Sequence, residues 1–284
     1  MAIRRMRDDD ISFVVKSTLS EGWGYTRVDL ERMLKLNPEG SLVWEDRSPL
    51  GFVTSVRYGD TAMIGHLVVT KEGRGRKIGR SLVQTLLDGY DSDGVESTIL
   101  YATDAGKGLY KKFGFEDSHV MQPISLYISE RDRTALPNPC PPMRSADLGQ
   151  VISIDRSLFG DDRSNLLKHL NTEFPEHCFK LEHDGELVGY AFGRRTPIGF
   201  DIGPWASLSA DADDARCLLT STVRSLRPGR VDIGTFVANE EISRMLRAYR
   251  EYRREHEVML MYRGEPRYSD PLKGQFGVCG FEIG

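Results

Sequence analysis

The sequence predicts an α/β chain of two tandem domains of similar build, each a mixed, mostly antiparallel sheet flanked by helices. Three observations carry that expectation. Short apolar runs closed by Gly, Pro, Asn and Asp turns alternate with longer stripes of period 3.6. The order of these elements in the first half recurs faintly in the second. Four prolines, at 137, 139, 141 and 142, form a stiff extended break between the copies. The expected division is a first domain over 1–130, a linker over 131–142 and a second domain over 143–284.

Composition narrows the class. A length of 284 residues accommodates two ordinary domains. A net charge of −4 gives no reason to invoke nucleic acid, so a basic loop in this chain points to a small anion. The four cysteines, at 140, 178, 217 and 279, have no CxxC spacing and read as free thiols in a reducing cytosol. The scattered histidines and cysteines give no zinc pattern, and no metal is expected. MAIRRMRDDD lacks an apolar core for a signal peptide, and no run approaches the length of a membrane span. The expected location is cytoplasmic.

Taken in order, Ile3 to Met6 reads as an edge strand. Asp8 to Asp10 supply acids for the start of a helix over Ile11 to Leu19. The stretch Glu21-Gly22-Trp23-Gly24-Tyr25 breaks it, and a second helix runs from Arg27 to Leu36. Leu42 to Glu45, Phe52 to Tyr58 and Thr61 to Thr70 are strands separated by turn signals. Then come a cationic glycine loop and a helix with Ile78, Leu82, Val83, Leu86 and Leu87 on one face. Thr98 to Tyr101 is a short buried strand, Ala105 to Lys112 a helix ended by Gly114, and His119 to Ile128 a final hairpin region. Ser129 to Met143 reads as an extended connector. In the second half Met143 to Phe159 matches the start of the first. A hairpin follows around His183-Asp184-Gly185, then a strand over Phe200 to Trp205 and a helix over Ala212 to Leu226. Val231 to Val237, a helix over Glu240 to Tyr252, and Val258 to Tyr262 complete the copy.

The chemistry concentrates after Thr70. Lys71, Arg74, Arg76, Lys77 and Arg80 fall within ten residues of the end of a strand and the start of a helix. Loop N–H groups and the helix N-terminus point the same way there, and the helix dipole adds partial positive charge. A diphosphate suits such a site. The corresponding loop of the second half, Ser207 to Asp214, carries Asp211, Asp213 and Asp214 instead and would repel one.

These residues carry a resemblance. Val69 followed by Arg74-Gly75-Arg76-Lys77-Ile78-Gly79 resembles the V…R-G-x-G-x-G pyrophosphate loop of the GNAT superfamily of acyl-CoA-dependent N-acyltransferases. Leu109-Tyr110-Lys111-Lys112-Phe113-Gly114-Phe115 resembles its L-Y-x-K-x-G-F segment. The match covers Ile3 to Ile128, and the second half resembles the degenerate partner domain of tandem members. Two positions depart from the pattern. Lys77 stands where glycine is usual, a position that tolerates a side chain when its φ is negative. Thr103 stands where an asparagine that contacts pantetheine is usual.

The resemblance implies a splayed sheet holding acetyl-CoA, with pantetheine against the backbone of Leu67, Val68 and Val69. It implies diphosphate on the amides of Arg74, Gly75, Arg76, Lys77, Ile78, Gly79 and Arg80, with Thr103 and Tyr110 also at the cofactor. An amine attacks the thioester directly. Tyr110 is the expected general acid at the sulfur, with packing against the sheet as the alternative. His66 is the candidate base; it shares a strand face with Ile64 and Val68, so a packed core histidine is the alternative. Glu21, Trp23 and Tyr25 are the candidates for the acceptor site, with staple packing of two short helices as the alternative for the aromatic pair.

Other features read as structural. Arg244, Arg247, Arg250, Arg253 and Arg254 are interspersed with glutamates, as in a solvated, salt-bridged helix face. Cys217 reads as buried filler. The expected function is therefore acetyl transfer from acetyl-CoA to a primary amine of a small molecule such as an amino acid or polyamine. The expected state is a monomer or weak homodimer, the second domain covering an edge that single-domain members use to pair. Two alternatives stay open: a non-catalytic CoA-binding sensor or scaffold, and acetylation of a protein N-terminus or lysine.

Overall fold

The computed structural model describes residues 2–266, 270 and 272–283. The chain forms two compact units. The first runs to Asp117 and adds residues 261–266 and 283; the second takes Ser118–Leu260 and most of the remaining C-terminal segment.

The first unit opens with β1 (Ala2–Arg5), α1 (Ile11–Ser20) and α2 (Arg27–Leu36). Thr26 ends the turn between these helices: its hydroxyl accepts the Asp29 N–H at 3.2 Å, while the Asp29 carboxylate accepts the Thr26 N–H at 2.8 Å. That reciprocal cap satisfies two of the donors a helix start leaves open. Next come β2 (Leu42–Asp46), β3 (Ser48–Tyr58), β4 (Thr61–Val69), α3 (Ile78–Ser92), β5 (Ser97–Ala102) and α4 (Asp104–Lys111).

The strand order is β1-β2-β3-β4-β5, antiparallel up to β4. The β4–β5 pair is parallel, as the α3 crossover requires. Phe52 and Val53 are adjacent on β3 and both fully buried, because α2 and α3 each pack on that strand. The α3 stripe is buried as its period requires, from Ile78 through Leu87. Each such side chain contributes roughly 1.5–3 kcal/mol of transfer free energy, which fixes the helix on the sheet and its N-terminus at the end of β4.

The second unit contains β6 (Glu116–Ile128, from Ser118 on), α5 (Glu130–Ala135), α6 (Leu148–Phe159), α7 (Ser164–Glu173), β7 (Cys178–His183), β8 (Glu186–Thr196) and β9 (Gly199–Ser207). It continues through α8 (Ala212–Ser225), β10 (Gly229–Phe236), α9 (Glu240–Arg247), β11 (Glu251–Arg254), β12 (Val258–Gly264, shared with the first unit) and β13 (Gln275–Gly277). Its strand order is β6-β10-β9-β8-β7, with the parallel pair β9–β10 bridged by α8. The repeated plan read from the sequence is therefore present.

Four local expectations change. His119 to Ile128 is no hairpin but part of the single thirteen-residue strand β6, whose residues 121–128 pair with β10. Its pairing partners lie over a hundred residues downstream, so nothing local marks it as one strand. The connector begins with a helix, α5, closed by a Ser129–Asp132 capping pair; only the proline stretch is irregular. The helix expected over Glu240 to Tyr252 stops at Arg247, so Arg253 and Arg254 lie on β11, paired with β6. Finally, Val258 to Tyr262 does not simply complete the second copy: residues 261–264 of β12 belong to the first unit, beside β5.

Candidate active site

The first unit brings a bulge, a split and an uncapped helix together at the end of β4. On β3, Val53 pairs with Leu67 and Ser55 with Ile64, so Gly65 and His66 together oppose Thr54. Two residues against one is a β-bulge, which bends the strand and re-aims its side chains. On the other side β4 pairs with β5 only from Thr61–Ser97 to Ile64–Leu100. Beyond that point β4 runs on to Val69 and β5 to Ala102 without pairing to each other. The β5-facing edge of Leu67, Val68 and Val69 is thus free to pair with an extended ligand. Val68 is buried, while Leu67 and Val69 are half-buried on the opposite face.

The loop that follows is built to present N–H groups. Gly75 takes φ +78 and Lys77, the residue before α3, takes φ +59. The condition under which a side chain is tolerated at Lys77, a negative φ, is not met: a lysine holds a left-handed position that glycine would take without strain, at a cost of about 1–2 kcal/mol. No side chain caps α3. Among the described residues, the N–H groups of Gly75, Lys77, Ile78, Gly79 and Arg80 have no hydrogen-bond acceptor within the protein. Donors converging at a helix N-terminus form an anion site, and a diphosphate fits it. The side chains are partly engaged: Arg76 bridges Asp46 at 2.8 Å, and Arg74 meets Glu21 at 3.4 Å. Glu21, expected at the acceptor, therefore faces the cationic loop.

The turn between α1 and α2 lies over the bulge. The Tyr25 ring meets the His66 ring edge-on at 4.2 Å between centroids, and Trp23 lies at 5.8 Å. His66 is 3% exposed and Trp23 36%. His66, Trp23 and Tyr25 thus form one aromatic cluster beside the split. Sequence reading missed Thr54, whose hydroxyl lies 3.0 Å from His66 Nδ1 and accepts the His66 backbone N–H at 2.9 Å. Its place opposite the bulge is not visible in residue order.

Tyr110 follows the split on α4. Its ring packs edge-on against Phe115 at 5.8 Å, and a Cβ on Gly106, one turn earlier, would come within 3.3 Å of it. Gly106 thereby makes room for the ring. Burial pushes the Tyr110 phenol well above its ordinary value, so it stays protonated at neutral pH. Thr103 is exposed at the start of α4 and its side chain does not cap the helix.

The second unit has the same split, closed. Here β9 and β10 pair only at Phe200–Val231 and Asp201–Asp232. Strand β13 fills the gap, pairing with β9 at Ala206 and Trp205, while Val278 bridges Gly234 of β10. The loop is closed too. Asp211 caps α8 by accepting the Asp213 N–H at 2.6 Å, and Asp214 accepts the hydroxyls of Ser207 and Ser209. No described group of three or more His, Cys, Asp or Glu is arranged to hold a metal ion, and no described helix is long and apolar enough to cross a membrane.

Known proteins share this plan. A family model described as an acetyltransferase (GNAT) domain matches residues 38–117, and a second model of that description matches residues 151–277. The uncharacterized N-acetyltransferase YitH of Bacillus subtilis (strain 168) is 28% identical over 176 residues, which cover 62% of this chain and 61% of that protein. A Pyrococcus horikoshii crystal structure assigned provisionally to the acetyltransferases aligns with 100% of this chain and 95% of its own, at 21% identity and a TM-score of 0.78. A GCN5-related N-acetyltransferase from Sphaerobacter thermophilus aligns over 94% and 98%, at 13% identity and a TM-score of 0.66. At these identities the structural likeness is one of fold.

Proposed function

The chain belongs to the GNAT acetyltransferases, and we propose that its first unit transfers an acetyl group from acetyl-CoA to a primary amine of a small molecule. The observation that carries this reading is the row of unengaged N–H groups at the start of α3, set beside the unpaired edge of β4. Acetyl-CoA supplies the acetyl group as a thioester, an acyl donor reactive enough for direct attack by an amine. The N–H groups of Gly75, Lys77, Ile78, Gly79 and Arg80 hold the diphosphate, with Arg74, Lys77 and Arg80 adding charge. The edge of Leu67 to Val69 pairs with the extended pantetheine as a strand would. In the transfer the amine nitrogen bonds to the acetyl carbon and the carbon–sulfur bond breaks. Tyr110 gives its proton to the departing sulfur and regains one from solvent, which takes the proton that the amine loses.

Trp23, Tyr25 and His66 line the acceptor side. The turn holds a single carboxylate, Glu21, and Arg74 engages it, so the acceptor there meets aromatic surface. This favours an amine with an apolar body, such as an aromatic amino acid derivative or arylalkylamine, over a polyamine. A panel of amines assayed by thiol release, alongside acetyl-CoA titration, tests the reading. Acetyl-CoA binding with turnover on apolar amines is expected. Binding with turnover on no amine would identify a CoA sensor instead, and turnover only on peptides would identify a protein acetyltransferase.

A further inference from the structure

The turn between α1 and α2 carries a carboxylate that occupies a cation of the diphosphate loop. Glu21 closes α1, its N–H reaching the Thr18 carbonyl at 3.1 Å, and Trp23 donates to the same carbonyl at 2.9 Å. The backbone of the turn is held in this way, and the Glu21 side chain extends to Arg74 at 3.4 Å. Both side chains are open to solvent, 59% exposed for Arg74 and 38% for Glu21. The neighbouring cation is held more closely, Arg76 meeting Asp46 at 2.8 Å. A long, exposed ion pair is weak, whereas an arginine binds phosphate through strong charge-assisted bonds. A diphosphate on the loop therefore takes Arg74 from Glu21, and the exchange needs only rotation of two exposed side chains.

We propose that Glu21 determines how acceptor and cofactor are bound together: the diphosphate of acetyl-CoA draws Arg74 away, and the carboxylate so released receives the ammonium group of the acceptor. This rests on the acetyltransferase reading, which puts the diphosphate on the loop and the acceptor beside Trp23 and Tyr25. Glu21 lies two residues before Trp23 in the same turn, so one short segment touches both the cationic loop and the aromatic cluster. One carboxylate answers one ammonium, so a monoamine with an apolar body remains a better fit than a polyamine. The coupling is reciprocal: an amine that holds Glu21 strengthens acetyl-CoA binding by the factor that acetyl-CoA strengthens its own.

The test is a cycle of acetyl-CoA affinities, measured by calorimetric titration of the full chain as wild type, Glu21→Gln, Arg74→Gln and the double variant. Glu21→Gln should bind acetyl-CoA about two- to fivefold more tightly than wild type, because an exposed ion pair no longer competes for Arg74. In the Arg74→Gln background the same change should have no effect. Equal tightening in both backgrounds would be a general effect of removing charge and overturns the exchange. So does a Glu21→Gln variant that binds acetyl-CoA no more tightly than wild type. On the amine of highest turnover, phenethylamine being the first tried, Glu21→Gln should raise the amine KM about fivefold; an unchanged KM overturns the acceptor role. Turnover on no amine removes the transferase reading and the acceptor role with it, while the affinity cycle still decides whether Glu21 competes for Arg74.

Discussion

Val278 donates its backbone N–H to the carbonyl of Gly234 at 3.0 Å, and this bond helps close the split between β9 and β10. Thr235 reinforces it by donating its hydroxyl to the Phe276 carbonyl at 2.9 Å, and the Phe276 ring lies 5.4 Å from that of Trp205. In the second unit the chain's own strand fills the gap that the first unit leaves open. Acetyl-CoA is therefore expected to bind once per chain, which calorimetric titration measures directly; two sites per chain would mean that β13 yields. Phe276→Ala should lower stability by about 3–5 kcal/mol with acetyl-CoA affinity unchanged.

Reversing charge at the loop, Arg74→Glu with Arg76→Glu, should weaken acetyl-CoA binding by at least about a hundredfold, or 2.7 kcal/mol. Folding should hardly change. Both side chains are exposed and their pairs with Glu21 and Asp46 are of the surface kind, worth about 0–1 kcal/mol. Titration with acetyl-CoA and a melting curve on the same sample separate the two effects. Undiminished binding would remove the loop from the site.

Lys77 gives the same loop a second test. At φ +59, glycine relieves the left-handed strain and adds chain entropy to the unfolded state, so Lys77→Gly should lie between neutral and about 1 kcal/mol more stable. Lys77→Val should lose about 1–2 kcal/mol or more, since a β-branched residue fits that region worst. A valine variant as stable as the glycine one in denaturant titration would contradict the left-handed geometry.

Tyr110→Phe should lower kcat about tenfold or more, the lower range of general-acid effects, with acetyl-CoA affinity kept. Because burial raises the phenol above its ordinary value near 10, ionisation of Tyr110 should produce no alkaline fall in kcat below pH 10. An unchanged kcat in the phenylalanine variant would reduce Tyr110 to packing against Phe115.

Asp201 makes the second unit's stability depend on pH. Burial pushes its carboxyl up to about 6, against the attraction of Arg194 and with the help of Glu282. The folded chain then keeps a proton that the unfolded chain releases near pH 4. The stabilisation is fully present below about pH 4 and is lost as pH rises through about 6. Asp201→Asn mimics the protonated form, so its melting temperature should gain on wild type as pH rises from 4 to 7. A constant difference across that range would show that Asp201 is ionised throughout.

The sequence by itself determined what is local. The period of the α3 stripe, the glycines and bases before it, and the spacing from Val69 to Tyr110 specified helix, loop and family, because a helix start and its charges are set by neighbouring residues. It also showed the second loop to be acidic. Tertiary structure decided what depends on distant partners. Whether residues 116–128 form a hairpin or one strand hinges on β10, far downstream. The sign of φ at Lys77 follows from how the loop meets a helix already docked on the sheet. The closure of the second split needs β13, from residues 275–277, and the pairing of Thr54 with His66 needs the bulge between β3 and β4. Side-chain pattern records which face of an element is buried; it does not record which backbone edge another segment occupies, since every residue type carries the same N–H and C=O groups for that pairing.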